Sequence, residues 1–96
     1  MPKFFYTEMA RHALRYRCKC PKGPKRDKDT WSAADTALNR LSDYDREAMV
    51  SIYTSTLTVP DAIQKLCDSG YDHNRLWATV SRIERSVAKA MGWIHS

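Results

Sequence analysis

Residues 69–85 read SGYDHNRLWATVSRIER, and the way this stretch folds decides the architecture. Gly70 is the residue type that most readily ends a helix in a left-handed turn, and Asp72 is a capping type placed two residues further on. From there Leu76, Val80, Ile83, Val87 and Met91 recur at steps of four, three, four and four. Side chains three or four apart share one side of an α-helix, so these five form a single apolar stripe. Counted at about 100° per residue, Asn74, Ala78, Ser81, Arg82, Arg85 and Lys89 point away from that stripe, with Arg75 on its flank. No acidic residue is among them. A solvated helix face ordinarily mixes both signs of charge; this one offers donors.

Reading toward the N-terminus gives four more helices. PDAIQKLCDS follows Val59, and proline suits a first helical turn. That helix buries Ala62 or Ile63 and Leu66, and stops at Gly70. Ser42 starts another, in which SDYD resembles a capping box and the helix dipole favours Asp43 and Asp45. Its apolar face is Tyr44 or Asp45, Ala48, Met49 and Ile52. Thr30 is the expected cap of a helix that turns Trp31, Ala34, Leu38 and Leu41 inward. Residues 6–18 form the first helix, capped by Thr7. Met9, His12 or Ala13, and Tyr16 make its inner face, with Arg11, Arg15 and Lys19 in a row on another. CPKGPKRDKDT concentrates proline and glycine and reads as a loop, and TSTLT breaks the helical pattern further on. Nothing alternates like a strand. The expectation is an all-α compact bundle of about five helices, one domain over residues 1–96. A basic N-terminal helix and loop (1–28) precede a core (30–94).

The totals agree with one domain. Ninety-six residues, 43% hydrophobic and 28% charged, bury a modest core and no more. No apolar run approaches the twenty or so residues that span a bilayer. MPKFFYTEMARHALRYR lacks the apolar centre of a secretory leader. A cytoplasmic location without membrane association is expected. The net charge of +5 is uneven: nine Lys/Arg face Glu8 and Asp27 in residues 1–28, and three basic groups face seven acidic ones in residues 29–70. Basic ends suggest a polyanionic partner. A simpler reading pairs those ends with the acidic middle inside the fold.

Little here supports catalysis. Cys18, Cys20 and Cys67 make no even disulfide framework, and with His12 and His73 they lack the spacing of a zinc site. His12, His73 and His95 have no acidic partner at helical spacing. Three glycines make no phosphate-cradling loop. No cofactor, metal or catalytic residue is read, and an enzyme is not expected.

The stretch GYDHNRL, residues 70–76, resembles the turn of many bacterial helix-turn-helix proteins: glycine, a hydrophobic residue, a capping residue, then a hydrophobic residue four on. The wider layout runs from ALNRLSDYDREAMVSIY through AIQKLC to VSRIERSVAKAMG. It is similar to region 4 of sigma-70-type factors and to the small RinA/ArpU-like transcription regulators of phages and mobile elements in Gram-positive bacteria. The resemblance covers about residues 34–92. It implies double-stranded promoter or operator DNA, recognised by the helix beginning at Asp72. The pattern departs at Cys67, Asp68 and Ser69, which stand where the compact motif places glycine directly after the leucine.

The residues fit that expectation with separate tasks. His73, Asn74 and Arg75 are at the helix start, where bidentate donors read base edges. Arg82, Arg85 and Lys89 are placed for phosphate, and small Ala78 and Ser81 permit close approach. Arg15, Arg17, Lys22, Lys25 and Lys28 form a basic arm that would track the backbone. The competing expectation is a protein-binding module directed at RNA polymerase or another host protein through Asp35, Asp43, Asp45 and Glu47. The simpler role for Asp43 and Asp45 is helix capping. Trp31 reads as core and Trp77 as half-buried packing. Trp93 and Ile94, like Phe4 and Phe5, either pack back on the domain or form a homodimer contact.

Overall fold

Five α-helices follow one another in the computed structural model, which describes residues 5–94: α1 Phe5–Lys19, α2 Lys28–Asn39, α3 Asp43–Thr54, α4 Val59–Asp68 and α5 His73–Ala90. Phe4, the side chain of Phe5, and His95 lie outside the described residues. No strand occurs among the described residues, and the fold is an all-α bundle. The radius of gyration, 12.7 Å, is that of a single packed domain, for which roughly 12–13 Å is expected at this length.

The starts of α2, α3, α4 and α5 are each fixed by a side chain that accepts a bond from an otherwise orphaned N–H of the first turn. Ser42 accepts from Asp45, Thr58 from Asp61 and Asp72 from Arg75. Two expected caps are corrected. Thr30 lies inside α2, where its backbone N–H and hydroxyl donate to Asp27 at 3.3 and 2.8 Å. Asp27 is the cap, at φ +45°. A short polar side chain that bonds locally lets a non-glycine residue take this left-handed conformation. Thr7 falls within α1, which already begins at Phe5.

The core gathers Leu14, Leu38, Met49, Ile52, Tyr53, Ile63, Val80, Ile83 and Val87, all fully buried, around α5. That helix packs against each of the other four. α1 is also central, in contact with α2, α3 and α5. Its inner face is rotated from the expected one: Ala10, Ala13, Leu14 and Cys18 are buried, Met9 and Tyr16 half-buried, and His12 exposed. Three alanine- or cysteine-sized residues on one face let neighbouring helices approach, so the flanks of α1 meet partners as well.

Those flanks carry arginines, and the fold uses them. Arg11 Nε donates to Glu84 at 2.8 Å, on the same carboxylate oxygen that accepts the Tyr53 hydroxyl at 2.8 Å. One acidic side chain, 4% exposed, thereby ties α1, α3 and α5 together. Arg15 donates to the carbonyls of Ser55 and Leu57 at 2.8 and 2.9 Å, holding the α3–α4 connection. Arg17 pairs with Asp35 of α2 at 2.9 Å, its guanidinium 5.7 Å above the centre of the Trp31 ring. Trp31 is half-buried and donates its indole N–H to the Cys20 carbonyl at 2.9 Å. The Tyr16 hydroxyl accepts the backbone N–H groups of Lys25 and Arg26, and donates to the Arg26 carbonyl, which pins the loop to α1.

The C-terminal end closes on itself. Gly92 at φ +75° passes its N–H to Lys89, and Trp93 N–H reaches back to the Ala88 carbonyl at 2.9 Å. This six-to-one closure places Trp93 half-buried against the core, so it packs back on its own domain.

Candidate nucleic-acid interface

α4 and α5 are joined by four residues, Ser69–Asp72, and every backbone group needed for a sharp turn is in place. Tyr71 N–H bonds the Leu66 carbonyl at 3.1 Å and Gly70 N–H bonds that of Cys67 at 3.0 Å. Gly70 sits at φ +107°, a conformation that L side chains resist. Cys67 and Asp68, two of the three residues that depart from the compact motif, lengthen α4; Ser69 becomes its C-cap. Asp68 accepts a bond from Gln64, and Asp72 is spent as the cap of α5.

The stripe read from sequence is buried: Leu76, Val80, Ile83 and Val87 are each no more than 3% exposed, and Met91 is half-buried at the C-cap. Thr79, Glu84 and Ala88 join them, so the inward face is wider than the stripe alone. His73, Asn74, Arg75, Ala78, Ser81, Arg82, Arg85 and Lys89 are all exposed. From Ser81 through Asn74, Arg85, Ala78, Lys89 and Arg82 to Arg75, seven of them span an arc of about 120° round the helix, and His73 falls outside it on the side of Met91. α5 is about 27 Å long and, with side chains, about 10–12 Å across, dimensions that fit a major groove about 12 Å wide.

The arginines of the chain divide sharply. Arg11, Arg15, Arg17, Arg46 and Arg75 are bonded within the fold. Among the described residues, no side-chain hydrogen bond or ion pair engages Arg82, Arg85, Lys89 or Asn74. Arg75 was expected free beside Asn74 and is instead held: its Nε donates to Asp45 at 2.9 Å and its guanidinium lies 4.8 Å over the Tyr44 ring. The Arg75 side chain remains 53% exposed. Asp45 is held below the usual carboxylate range, first by the bond from Arg75, with burial opposing and Arg82 adding to the pull. His73 stands edge-on to half-buried Trp77, with 6.5 Å between ring centres.

One cation went unread in the sequence. Arg40, exposed at the C-terminus of α2, lines one cleft with Arg82, Ile83 and Ser86 and another with Ser86 and Lys89. It extends the basic face of α5 onto a second helix. Its position is set by how α2 packs on α5, which leaves no mark in the local sequence.

The proposed basic arm sits elsewhere. Arg15, Lys19, Lys25 and Arg26 gather with His12 around a cavity of about 450 Å³ on the outward side of α1. α1 packs on the buried side of α5, so this cluster is not part of the arc of α5. Arg15 and Arg17 are tied down by the bonds above, while Lys22, Lys25 and Lys28 are exposed on the loop and at the start of α2.

The acidic groups are largely engaged: Asp35 with Arg17 and Asn39, Asp43 with Arg46, and Asp45 with Arg75. Of the four acidic residues read as a protein-contact face, Glu47 alone has no such bond among the described residues. Capping also proves too small a role for Asp45, whose carboxylate reaches α5. The three cysteines are free, and burial pushes the Cys18 thiol up to about 11 against an opposing pull from Arg17. Among the described residues no three His, Cys, Asp or Glu side chains converge as metal ligands, so His12, Cys18, Cys20, Cys67 and His73 are not brought together. No described helix is long and apolar enough to cross a membrane. No protein-family model, curated protein or solved structure matches this chain.

Proposed function

We propose that this chain is a sequence-specific DNA-binding regulator of transcription, of the phage or mobile-element type, that lays the outer arc of α5 in the major groove. In this reading α4, the Ser69–Asp72 turn and α5 act as a helix-turn-helix. The observation that carries it is the division of the cations. The fold pairs Arg11, Arg15, Arg17 and Arg46 internally yet leaves Arg82, Arg85 and Lys89 exposed on one helix face. Like charges crowded on a surface repel, and a phosphate backbone relieves that repulsion while releasing condensed counterions.

Roles follow from position. Asn74 and Arg75, in the first turn, present amide and guanidinium donors of the kind that bond adenine and guanine edges. His73 flanks them. Ala78 and Ser81 keep the centre of the arc low, so the helix can seat deeply. Arg82, Arg85, Lys89 and Arg40 reach phosphate and set the register without reading bases. The cluster on α1 lies outside that arc and contributes only through its long-range field.

Asn74→Ala and Lys89→Ala separate these roles. Measured on a duplex selected from a random pool and on an unrelated one, Asn74→Ala lowers the preference between them by about tenfold, roughly 1–2 kcal/mol. Lys89→Ala lowers affinity for both by the same factor. Equal losses in both variants contradict the division of labour. The protein-binding alternative finds less support, because its acidic face is mostly occupied by internal ion pairs. A polymerase or other host protein retained by the chain after nuclease treatment, with no duplex bound at low salt, is the result that would favour it.

A further inference from the structure

Arg75 is the one Lys or Arg in the first turn of α5, and an acidic and an aromatic group hold it. Its Nε donates to Asp45 Oδ1 at 2.9 Å. Its guanidinium covers Tyr44 at 4.8 Å, and the Tyr44 ring is stacked in turn on Tyr71, with 5.3 Å between centres and 26° between planes. Asp45 and Tyr44 come from α3 and Tyr71 from the turn before α5, so the grip joins three segments. Tyr44 is 49% exposed, so its ring is open to solvent outside the contacts with Arg75 and Tyr71.

The geometry has a chemical consequence. Bonded through Nε and covered on one plane, this guanidinium has no further hydrogen bond among the described residues, so its two terminal nitrogens are free to donate as a pair. That pair is the group with which arginine bonds guanine through two donors. An unrestrained arginine must give up rotamer freedom on binding; a held one has already done so. Asp45 is otherwise badly placed, since a carboxylate beside a DNA-facing surface repels phosphate. We infer that Asp45, with Tyr44, is a positioning residue that aims Arg75 at a guanine, making this arginine a specificity-determining contact beside Asn74. The inference rests on the DNA-binding reading above.

The two effects of Asp45 have opposite signs on different DNA, which makes them separable. Ser42 caps α3 through the backbone N–H of residue 45, so changing the side chain leaves that cap bond in place. The experiment compares wild type, Asp45→Ala, Arg75→Ala and the double variant on two duplexes, one selected from a random pool and one unrelated. Asp45→Ala, which removes both the charge and the acceptor of the Arg75 bond, is expected to weaken the selected duplex by about tenfold, the scale of one bidentate base contact. It strengthens the unrelated duplex about two- to threefold, because one repulsive charge is gone. Base preference is lost at one position only, the same position that Arg75→Ala loses. In the Arg75→Ala background Asp45→Ala costs the selected duplex nothing further. Two results overturn the positioning role: equal strengthening of both duplexes, which makes Asp45 a mask, and equal weakening of both with a lowered Tm, which makes it structural. A wild-type chain that binds no duplex at any salt concentration overturns the DNA-binding reading itself, a result the variants cannot mimic.

Discussion

Reversing two charges, Arg82→Glu with Arg85→Glu, is expected to lower duplex affinity by about a hundredfold or more while leaving the fold intact. Both side chains are exposed on the outer arc of α5, and neither has a hydrogen bond or ion pair among the described residues, so the internal loss is limited to the attraction between Arg82 and Asp45. Each charge-assisted bond to phosphate is worth about 1.5–3 kcal/mol, and the introduced carboxylates add repulsion. With about five phosphates engaged, log K for wild type falls against log[salt] with a slope near −4 to −5, and the variant loses about two from that slope. Fluorescence anisotropy with a short duplex across a salt series reads both quantities, and thermal melting checks the fold. A loss smaller than threefold with an unchanged slope would remove α5 from the contact surface.

The second large effect is on stability. Glu84→Ala is expected to cost about 3–5 kcal/mol, the scale for removing one partner of a buried ion pair. A domain holds about 5–15 kcal/mol in all, so the variant stands near the edge of folding. The loss has three sources: Arg11 loses its counter-ion, the Tyr53 hydroxyl loses its acceptor in a fully buried site, and a cavity opens between α1, α3 and α5. Glu84→Gln costs less, because an amide oxygen still accepts from Tyr53. Urea unfolding of both variants measures this, and a cost under 1 kcal/mol for Glu84→Ala would show that the three helices do not depend on the carboxylate.

The acid behaviour of that site has a definite sign. Burial, the largest influence, raises the Glu84 carboxyl above its ordinary value, with the bonds from Arg11 and Tyr53 pulling the other way. A carboxyl that holds its proton more tightly when folded contributes most below the unfolded value of about 4.5, and loses that contribution as pH rises through the folded value. The stability advantage of wild type over Glu84→Gln is therefore largest in acid and shrinks toward neutrality. Asp45 runs opposite: its contribution is present above the ordinary carboxylate range and is lost as pH falls through its lowered folded value.

Much of the fold was legible because its signals are local. Ser42 and Asp72 cap helices three residues from the N–H groups they accept, Gly70 ends α4 through a bond pattern five residues long, and the α5 stripe repeats every turn. The misread cations share one physical origin. Arg11 meets Glu84 across 73 residues, Arg15 meets Leu57 across 42, and Arg75 meets Asp45 across 30. Pairings over such separations leave no periodicity, so a row of arginines on α1 reads as a solvated or DNA-tracking face when the bundle in fact uses two of them as ties. Arg40 was overlooked for the same reason. Asp27 was missed because a left-handed cap requires a conformation that sequence propensity assigns first to glycine.

The claim on which the functional account rests is that the duplex meets the outer arc of α5. Following the backbone amide NMR signals of the full chain while a short duplex is added tests it most directly. The account predicts that the largest shifts fall on residues 73–89 and at Arg40, with His12, Lys19 and Lys25 nearly unmoved. Shifts centred on the α1 cluster, or a spectrum unchanged by duplex at low salt, would contradict it.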